Sequence, residues 1–158
     1  MVGEALLCVI RLRGKVGVSE EDENTLKMLR LHRKNHAVLV KKVPSIMGML
    51  LKVSSYITYG EVDLETLTLL LKKRGRLIGD KPITDEYAKK LGYENVDMLA
   101  KSVYEQRTNI KDLPKFKQVF RLHPPSKGFK GSIKKRYGAG GELGYRGTAI
   151  NELLKRMI

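Results

Sequence analysis

The chain has 158 residues, a pI near 9.9 and a formal net charge of +14 at pH 7. Its 42% of hydrophobic residues and mean hydropathy of −0.30 are those of a protein with a packed core, which excludes a disordered basic tail. No apolar run reaches the roughly 18 residues of a membrane helix, and the start does not resemble a signal peptide, so we expect a soluble cytoplasmic protein with no membrane partner.

The first sixty residues alternate strand and helix patterns. The opening apolar run is hydrophobic on both alternating faces, which is typical of a strand in the middle of a sheet. We therefore expect an α+β fold with a β-α-β-α-β core, in which a three-stranded antiparallel sheet carries two helices on one face. The predicted elements are a strand over 6–13, a helix from Ser19 to near Asn35, a strand over 36–43, a helix capped by Ser45 and a strand over 56–62.

Residues 63–106 carry helix patterns only. We predict one helix that starts after Asp63 and stops at Gly75, followed by helices over 84–91 and 96–105. Ala88 and Gly92 have the spacing that lets the last two helices cross closely, as in a DNA-binding helix-turn-helix. The second of these helices offers no arginine, asparagine or glutamine to read bases, so we favour an ordinary helical hairpin.

Residues 107–158 carry most of the excess charge, with 13 basic and 3 acidic side chains against 10 and 5 in 1–60 and 8 and 9 in 61–106. Over 107–137, ten lysines or arginines are interleaved with four aromatic residues, and Asp112 is the one acid. Glycine and proline interrupt helix patterns here, so we expect an irregular basic extension, with a short strand over 117–122. A final helix capped by Thr148 has an apolar stripe that predicts docking on the body. The predicted divisions are thus a core over 1–62, a helical segment over 63–106 and a basic extension with a terminal helix over 107–158.

So much charge of one sign repels itself unless an anionic partner compensates it, and nucleic acid suits a segment that mixes cations, aromatic rings and proline better than a membrane does. We expect lysine and arginine to contact phosphates and the rings to stack on unpaired bases. A second basic set surrounds the exit of the first strand. The candidate RNA-binding residues are Arg11, Arg13, Lys15, Arg33 and Lys34 in the core, and Lys115, Lys117, Arg121, His123, Lys127, Lys130, Lys134, Lys135, Arg136, Tyr137 and Arg146 in the extension.

Catalytic chemistry has little support in the sequence. His32, His36 and His123 are too scattered to predict a metal site, and Cys8 lies in an apolar strand with no base beside it. The glycine cluster over 138–147 lacks the spacing and the parallel βαβ frame of a dinucleotide fingerprint, so we expect its backbone to pack closely against RNA or against the body of the protein. We predict no catalytic residue, no metal, no cofactor and no small-molecule substrate.

Several short segments, in this order and spacing, resemble the universal L30 family of large-subunit ribosomal proteins, and the continuation beyond residue 62 is similar to its longer archaeal branch, related to the eukaryotic L7 protein. The resemblance covers nearly the whole chain. The segments are Val16-Gly17, 25–31 (TLKMLRL), 43–49 (VPSIMGM), 109–114 (NIKDLP), 120–125 (FRLHPP), 144–147 (GYRG) and 150–157 (INELLKRM).

This resemblance implies a truncated ferredoxin-like core and a structural, non-enzymatic role in the large ribosomal subunit, where the protein would bind and stabilise rRNA in support of translation. It implies large-subunit rRNA and neighbouring ribosomal proteins as partners, and it suggests a contact with 5S rRNA, near which the family lies. The residues by themselves leave two other functions open, a free RNA-binding regulator and a DNA-binding regulator.

Overall fold

A computed structural model describes residues 6–158 of the chain, so the first five residues of the predicted 1–62 core lie outside the described part. Six strands and six α-helices follow one another there, with 3-10 turns at Ile110–Asp112 and Gly147–Ala149. They are β1 (Leu6–Arg11), α1 (Glu20–Met28), β2 (His36–Lys41), α2 (Pro44–Lys52), β3 (Ile57–Glu61), α3 (Leu64–Arg74), α4 (Asp85–Lys90), α5 (Val96–Tyr104), β4 (Phe120–Arg121), β5 (Ser132–Arg136), β6 (Gly141–Tyr145) and α6 (Ile150–Met157).

The sheet lies between two layers of helices, which is why every residue of β1 is buried. Leu7 and Val9 of β1 pack with side chains of α1 and α2 on one face. Cys8 and Ile10, which alternate with them, pack with side chains of α3, α5 and α6 on the other face. The expectation of a central strand is therefore confirmed, and α1 and α2 share one face of the sheet as predicted.

Polar side chains define the starts of several helices as the sequence predicts. The side chains of Ser19, Asp63 and Asn95 accept hydrogen bonds from backbone N–H groups in the first turns of α1, α3 and α5.

Three boundary predictions were wrong. The first helix ends at Met28 instead of near Asn35, because Arg30 and Asn35 adopt positive φ angles of 65° and 67° that a helix does not allow.

The other two wrong predictions concern caps. Helix α2 begins one residue before Ser45, with Pro44 at its first position and Val43 as the N-cap residue. Helix α6 has no side-chain cap, because the 3-10 turn at Gly147–Ala149 runs directly into it. The apolar stripe of α6 is buried all the same, so the terminal helix docks on the body as predicted.

The fold class is confirmed, and the sheet is wider than the three strands expected. Its order is β4-β2-β1-β3-β6-β5, with β1, β2 and β3 antiparallel to their neighbours in the core. The three added strands all come from the basic segment over 107–158. Strand β4 pairs with β2 and falls within the predicted 117–122 strand, whereas β6 pairs in parallel with β3, and β5 joins β6 in an irregular parallel pairing. The divisions at residues 62 and 106 stay predictions.

The glycine cluster packs its backbone closely against the body of the protein, one of the two alternatives that the sequence left open. A Cβ atom on Gly60 of β3 would lie 1.9 Å from the carbonyl oxygen of Gly147. Arg146 also donates its backbone N–H to the carbonyl of Tyr59. The loop after β6 therefore contacts β3 at a distance that only a residue without a side chain permits.

Candidate RNA-binding surface

When the registers of β1 with β2 and of β3 with β6 are each continued by one residue beyond the last paired residues, one row crosses all six strands near one end of the sheet. The row follows from the register of each strand pair, because residues opposite each other in neighbouring strands lie at the same level. The cationic residues of this row lie on the two edge strands, β4 and β5, and on the central strand β1. Across the sheet its members are Arg121, His36, Arg11, Ile57, Leu143 and Arg136.

The loops at this end of the sheet carry the basic residues predicted for the core. Arg13 and Lys15 follow β1, and Arg33 and Lys34 precede β2. Because β1 and β2 are antiparallel neighbours, the end of one strand and the start of the other lie together. Lys15, Arg33 and Lys34 are exposed, and we call this region, the row together with its two loops, the basic end of the sheet.

Burial and the neighbouring cations both lower the pKa of His36. Its imidazole has a pKa below the ordinary value, first because the side chain is partly buried and then because Arg33, His32 and Arg121 lie near it. Both causes disfavour the charged ring. Arg33, from the loop before β2, and Arg121, on the edge strand β4, thus both lie close to His36.

Arg13 is half-buried at the basic end and is held in place by local contacts. Its guanidinium carbon lies 5.5 Å from the centre of the Tyr56 ring, and Nη1 donates to the Ser55 carbonyl at 3.3 Å. Contacts of this kind fix the direction of a long side chain without neutralising its charge. Arg13 therefore keeps a positive charge that is available to a partner.

The structure does not support Arg11 as an RNA-binding residue, because Arg11 is fully buried and cannot present its guanidinium to a partner. Nη2 pairs with a carboxylate oxygen of Glu23 at 3.0 Å, Nη1 donates to the Leu31 carbonyl at 2.7 Å, and Nε donates to the Arg13 carbonyl at 2.8 Å. The same ion pair holds the pKa of Glu23 below its ordinary value, chiefly through the hydrogen bond from Arg11. Arg11 is thus a structural residue that joins β1 to α1 and to the loop before β2.

The strongest concentration of unpaired charge lies on the edge strand β5. Lys134, Lys135 and Arg136 are consecutive and exposed, and within residues 6–158 none of the three forms an ion pair. Tyr137 follows them and is 46% exposed. We call Lys134, Lys135 and Arg136 the edge cluster.

Three other predicted residues of the basic segment, the exposed Arg121 and Lys130 and the partly exposed Lys117, are partly neutralised. Lys117 and Arg121 both pair with Asp80, and Lys130 pairs with Glu152 at 2.8 Å. Exposed ion pairs of this kind contribute little to stability, so a phosphate can replace the carboxylate at little cost. Lys115 and Lys127 are also exposed.

His123 has a different position from the lysines around it. It is partly buried, and its two ring nitrogens lie 2.6 Å from the Pro124 carbonyl oxygen and 2.8 Å from that of Ile158. The ring therefore ties the segment after β4 to the end of the chain. Its ring nitrogens are occupied by these carbonyl groups, which leaves little for a nucleic acid to contact.

Arg146 is the second predicted RNA-binding residue that the structure does not support, because only 8% of the residue is exposed. Nη2 pairs with the Glu142 carboxylate at 2.5 Å, and Nε donates to the Thr58 hydroxyl at 2.7 Å. The guanidinium also lies 4.9 Å from the centre of the Tyr137 ring. The arginine joins β6 to β3 and supports Tyr137 from behind, so it is not an exposed phosphate ligand.

A cavity of about 420 Å³ beside Tyr137 is a feature that the sequence analysis missed. Its walls include Lys130, the glycine turn over 138–141 and, from α6, Glu152 and Arg156. No local sequence pattern predicts this cavity, because its walls come from the glycine turn and α6, which only the folded structure brings together.

Within residues 6–158, no group of three or more histidine, cysteine or acidic side chains is arranged to hold a metal ion. In the same part of the chain, no helix is long and apolar enough to cross a membrane.

Comparison with known proteins gives consistent matches. The family model described as ribosomal protein L30p/L7e matches residues 7–57. The large ribosomal subunit protein uL30 of Thermofilum pendens is 51% identical over 155 residues, which cover 98% of this chain and 99% of that protein. The proteins of the same name from Archaeoglobus fulgidus, 51% identical over 96% of this chain and 99% of the relative, and from Methanopyrus kandleri, 50% identical over 93% and 100%, are similar throughout.

Proposed function

Because the chain belongs to the ribosomal L30p/L7e family, we propose that it is a structural, non-enzymatic constituent of the archaeal large ribosomal subunit that binds and stabilises rRNA. Its partners are then large-subunit rRNA and neighbouring ribosomal proteins, and its location is the cytoplasmic ribosome. By holding rRNA helices in position, the protein supports translation without catalysing a reaction.

The convergence of cations on one end of the sheet carries this proposal. Lys15, Arg33 and Lys34 come from the core, whereas the edge cluster comes from a segment about a hundred residues later in the chain. Like charges at one end of a sheet repel each other and do not stabilise the fold. Their presence there therefore indicates a polyanionic partner of similar charge density that compensates them. Lysines and arginines on phosphates supply most of the affinity in such a contact.

Contact with 5S rRNA is the finer part of the proposal. It is supported by the resemblance of segments such as 43–49 and 120–125 to a family that lies near that RNA. The basic end of the sheet and the edge cluster together offer a surface that could bridge two RNA molecules, which is why we include 5S rRNA beside the larger rRNA.

The regulatory alternatives receive no support. Helix α5 would be the base-reading helix of a DNA-binding protein, yet its Leu99, Ala100 and Val103 are buried in the core. Asp97 on its outer side pairs with Lys72 of α3 at 2.7 Å. That helix therefore presents no positive face to a DNA groove.

The test of the proposal is the salt dependence of binding to purified large-subunit rRNA. We expect that changing Lys134→Gln, Lys135→Gln and Arg136→Gln together lowers affinity and flattens the slope of log K against log salt by about 2, since each lost phosphate contact removes roughly 0.7 to 0.9. Circular dichroism should show an intact fold, because all three side chains are exposed.

A charge-matched control uses three exposed lysines away from the basic end, changed as Lys73→Gln, Lys89→Gln and Lys90→Gln. This variant loses the same net charge, so any general effect of charge appears in both proteins. Equal changes of slope in the two variants would contradict a specific role of the edge cluster.

A further inference from the structure

The cavity beside Tyr137 has the features of a pocket for a single nucleotide. We propose that it takes one unpaired nucleotide of the bound RNA, with the base stacked on the Tyr137 ring and the phosphate near the cavity's amide and guanidinium groups. This inference rests on the proposed function, because the nucleotide belongs to the rRNA that the protein binds.

The Tyr137 ring lies against a guanidinium and remains partly exposed. The guanidinium of Arg146 lies 4.9 Å from the ring centre, while 46% of the tyrosine remains exposed. Arg146 is itself fixed by Glu142 and Thr58, so the ring rests on a rigid support. An aromatic ring held in this way is a stacking platform that loses little entropy when a base lies on it.

Arg146 retains hydrogen-bonding capacity despite its burial. Nε and Nη2 have partners, but within residues 6–158 Nη1 has none, and the side chain lines the cavity. Nη1 is not one of the fully buried side-chain atoms that lack a partner, so it is accessible from the cavity. Nη1 is therefore a donor for an oxygen atom of a bound nucleotide.

The glycine turn adds backbone donors at the cavity wall. Gly138 and Gly140 have φ angles of 89° and 82°, and both line the cavity. Their N–H groups have no acceptor among the described residues, and a Cβ at either position would meet nothing within 4 Å. The Ala139 N–H between them donates to the Arg136 carbonyl at 3.0 Å, so the turn offers a phosphate two separate amide donors.

The volume and charge of the cavity agree with one nucleotide. About 420 Å³ lies at the lower end of the range of roughly 300–1,000 Å³ for small-molecule sites. Arg156 on its wall uses Nε for the Ser126 carbonyl and Nη2 for the Gly128 carbonyl, and it brings a second guanidinium to the site. Glu142 and Glu152 are each paired with a cation, so neither presents an unopposed charge to a phosphate.

Substitutions of Tyr137 measure the contribution of base stacking to rRNA affinity separately from the contribution of charge. We expect Tyr137→Leu to weaken binding to large-subunit rRNA by about 5- to 100-fold, which corresponds to the loss of one base stack, with an unchanged slope against salt. Tyr137→Phe keeps the ring and should bind within about twofold of the unchanged protein. Tyr104→Leu is the matched control, because Tyr104 is 38% exposed on α5 and lies outside the cavity.

Chemical probing of the RNA locates the nucleotide. In complexes with the unchanged protein and with Tyr137→Phe, we expect one unpaired nucleotide to show the reactivity of an unstacked backbone and a protected base, and Tyr137→Leu should abolish this signature. Binding of Tyr137→Leu equal to that of Tyr104→Leu, or a loss confined to the salt slope, would overturn the pocket while leaving the proposed function intact. Failure of the unchanged protein to bind rRNA at all would overturn both.

Discussion

Arg11 and Arg146 are the two arginines that the fold turns inward, and each exchanges most of its contacts with water for hydrogen bonds to the protein. Arg11 connects β1, α1 and the loop before β2 through four hydrogen bonds to two carbonyl groups and Glu23. Arg146 connects β6 with β3. Their role is structural, because a buried guanidinium with fixed partners holds the backbone on either side of it in position.

We predict that Arg11→Met lowers the free energy of unfolding by about 2 to 4 kcal/mol, because Glu23 and the Leu31 carbonyl lose a charged partner. Urea denaturation followed by circular dichroism measures this effect. The rRNA affinity of the folded fraction should stay within about twofold, since Arg11 has no exposed surface.

Arg13→Met serves as the control for this prediction, because Arg13 is half-buried and is held by one contact with the Tyr56 ring and one exposed hydrogen bond of 3.3 Å. We expect the opposite result for it, with a small loss of stability and a measurable loss of rRNA affinity. Equal effects of the two substitutions on affinity would contradict the division between a structural Arg11 and an available Arg13.

The sequence cannot distinguish these arginines from surface cations, since both stand beside apolar residues near the end of a strand. Each guanidinium has a partner that only the fold brings close, since Glu23 is 12 residues after Arg11 and Thr58 is 88 residues before Arg146. By contrast, Lys134 and Lys135 could be predicted as exposed, because a lysine run without nearby acids has no internal partner to bury it.

At the level of elements, the basic segment is an integral part of the sheet. Strands β4, β5 and β6 extend the core on both edges, and α6 covers one face of it. The helices and the first three strands could be predicted from their periodicity and caps. Strand β4 has two residues and β5 and β6 carry glycine or charge, so their pairing depends on tertiary contacts that no periodic pattern encodes.

The contact between β3 and the turn at Gly147 gives a test at this scale. We predict that Gly60→Ala lowers the free energy of unfolding by about 1 to 3 kcal/mol, because its Cβ would overlap the Gly147 carbonyl oxygen. Gly48→Ala, in the exposed interior of α2, should instead stabilise the protein by about 1 kcal/mol, since no atom lies within 4 Å of its Cβ.

Thermal and urea denaturation of both variants provide the measurement. The opposite signs make the pair informative, because each substitution adds the same methyl group to the same chain. If Gly60→Ala were neutral, the turn at Gly147 would not pack against β3 and the docking of the last strand and helix would need another explanation.

For the whole molecule, the distribution of charge relates the fold to its function. Residues 61–106 are nearly neutral, with 8 basic and 9 acidic side chains, whereas the cations of the first and last segments meet at the basic end of the sheet. The excess of positive charge could be predicted from composition. Its convergence required the strand register, because Arg33 and Arg136 are separated by a hundred residues in the chain.

A photo-crosslinking amino acid incorporated at Lys135 in assembled large subunits, with the RNA read at nucleotide resolution, tests the central claim most directly. A matched protein with the same group at Lys90 of α4, an exposed position outside the basic end, is the control. We predict crosslinks from position 135 to a defined group of rRNA nucleotides and far fewer from position 90. Position 135 without crosslinks to rRNA, in subunits that contain the protein, would contradict the account.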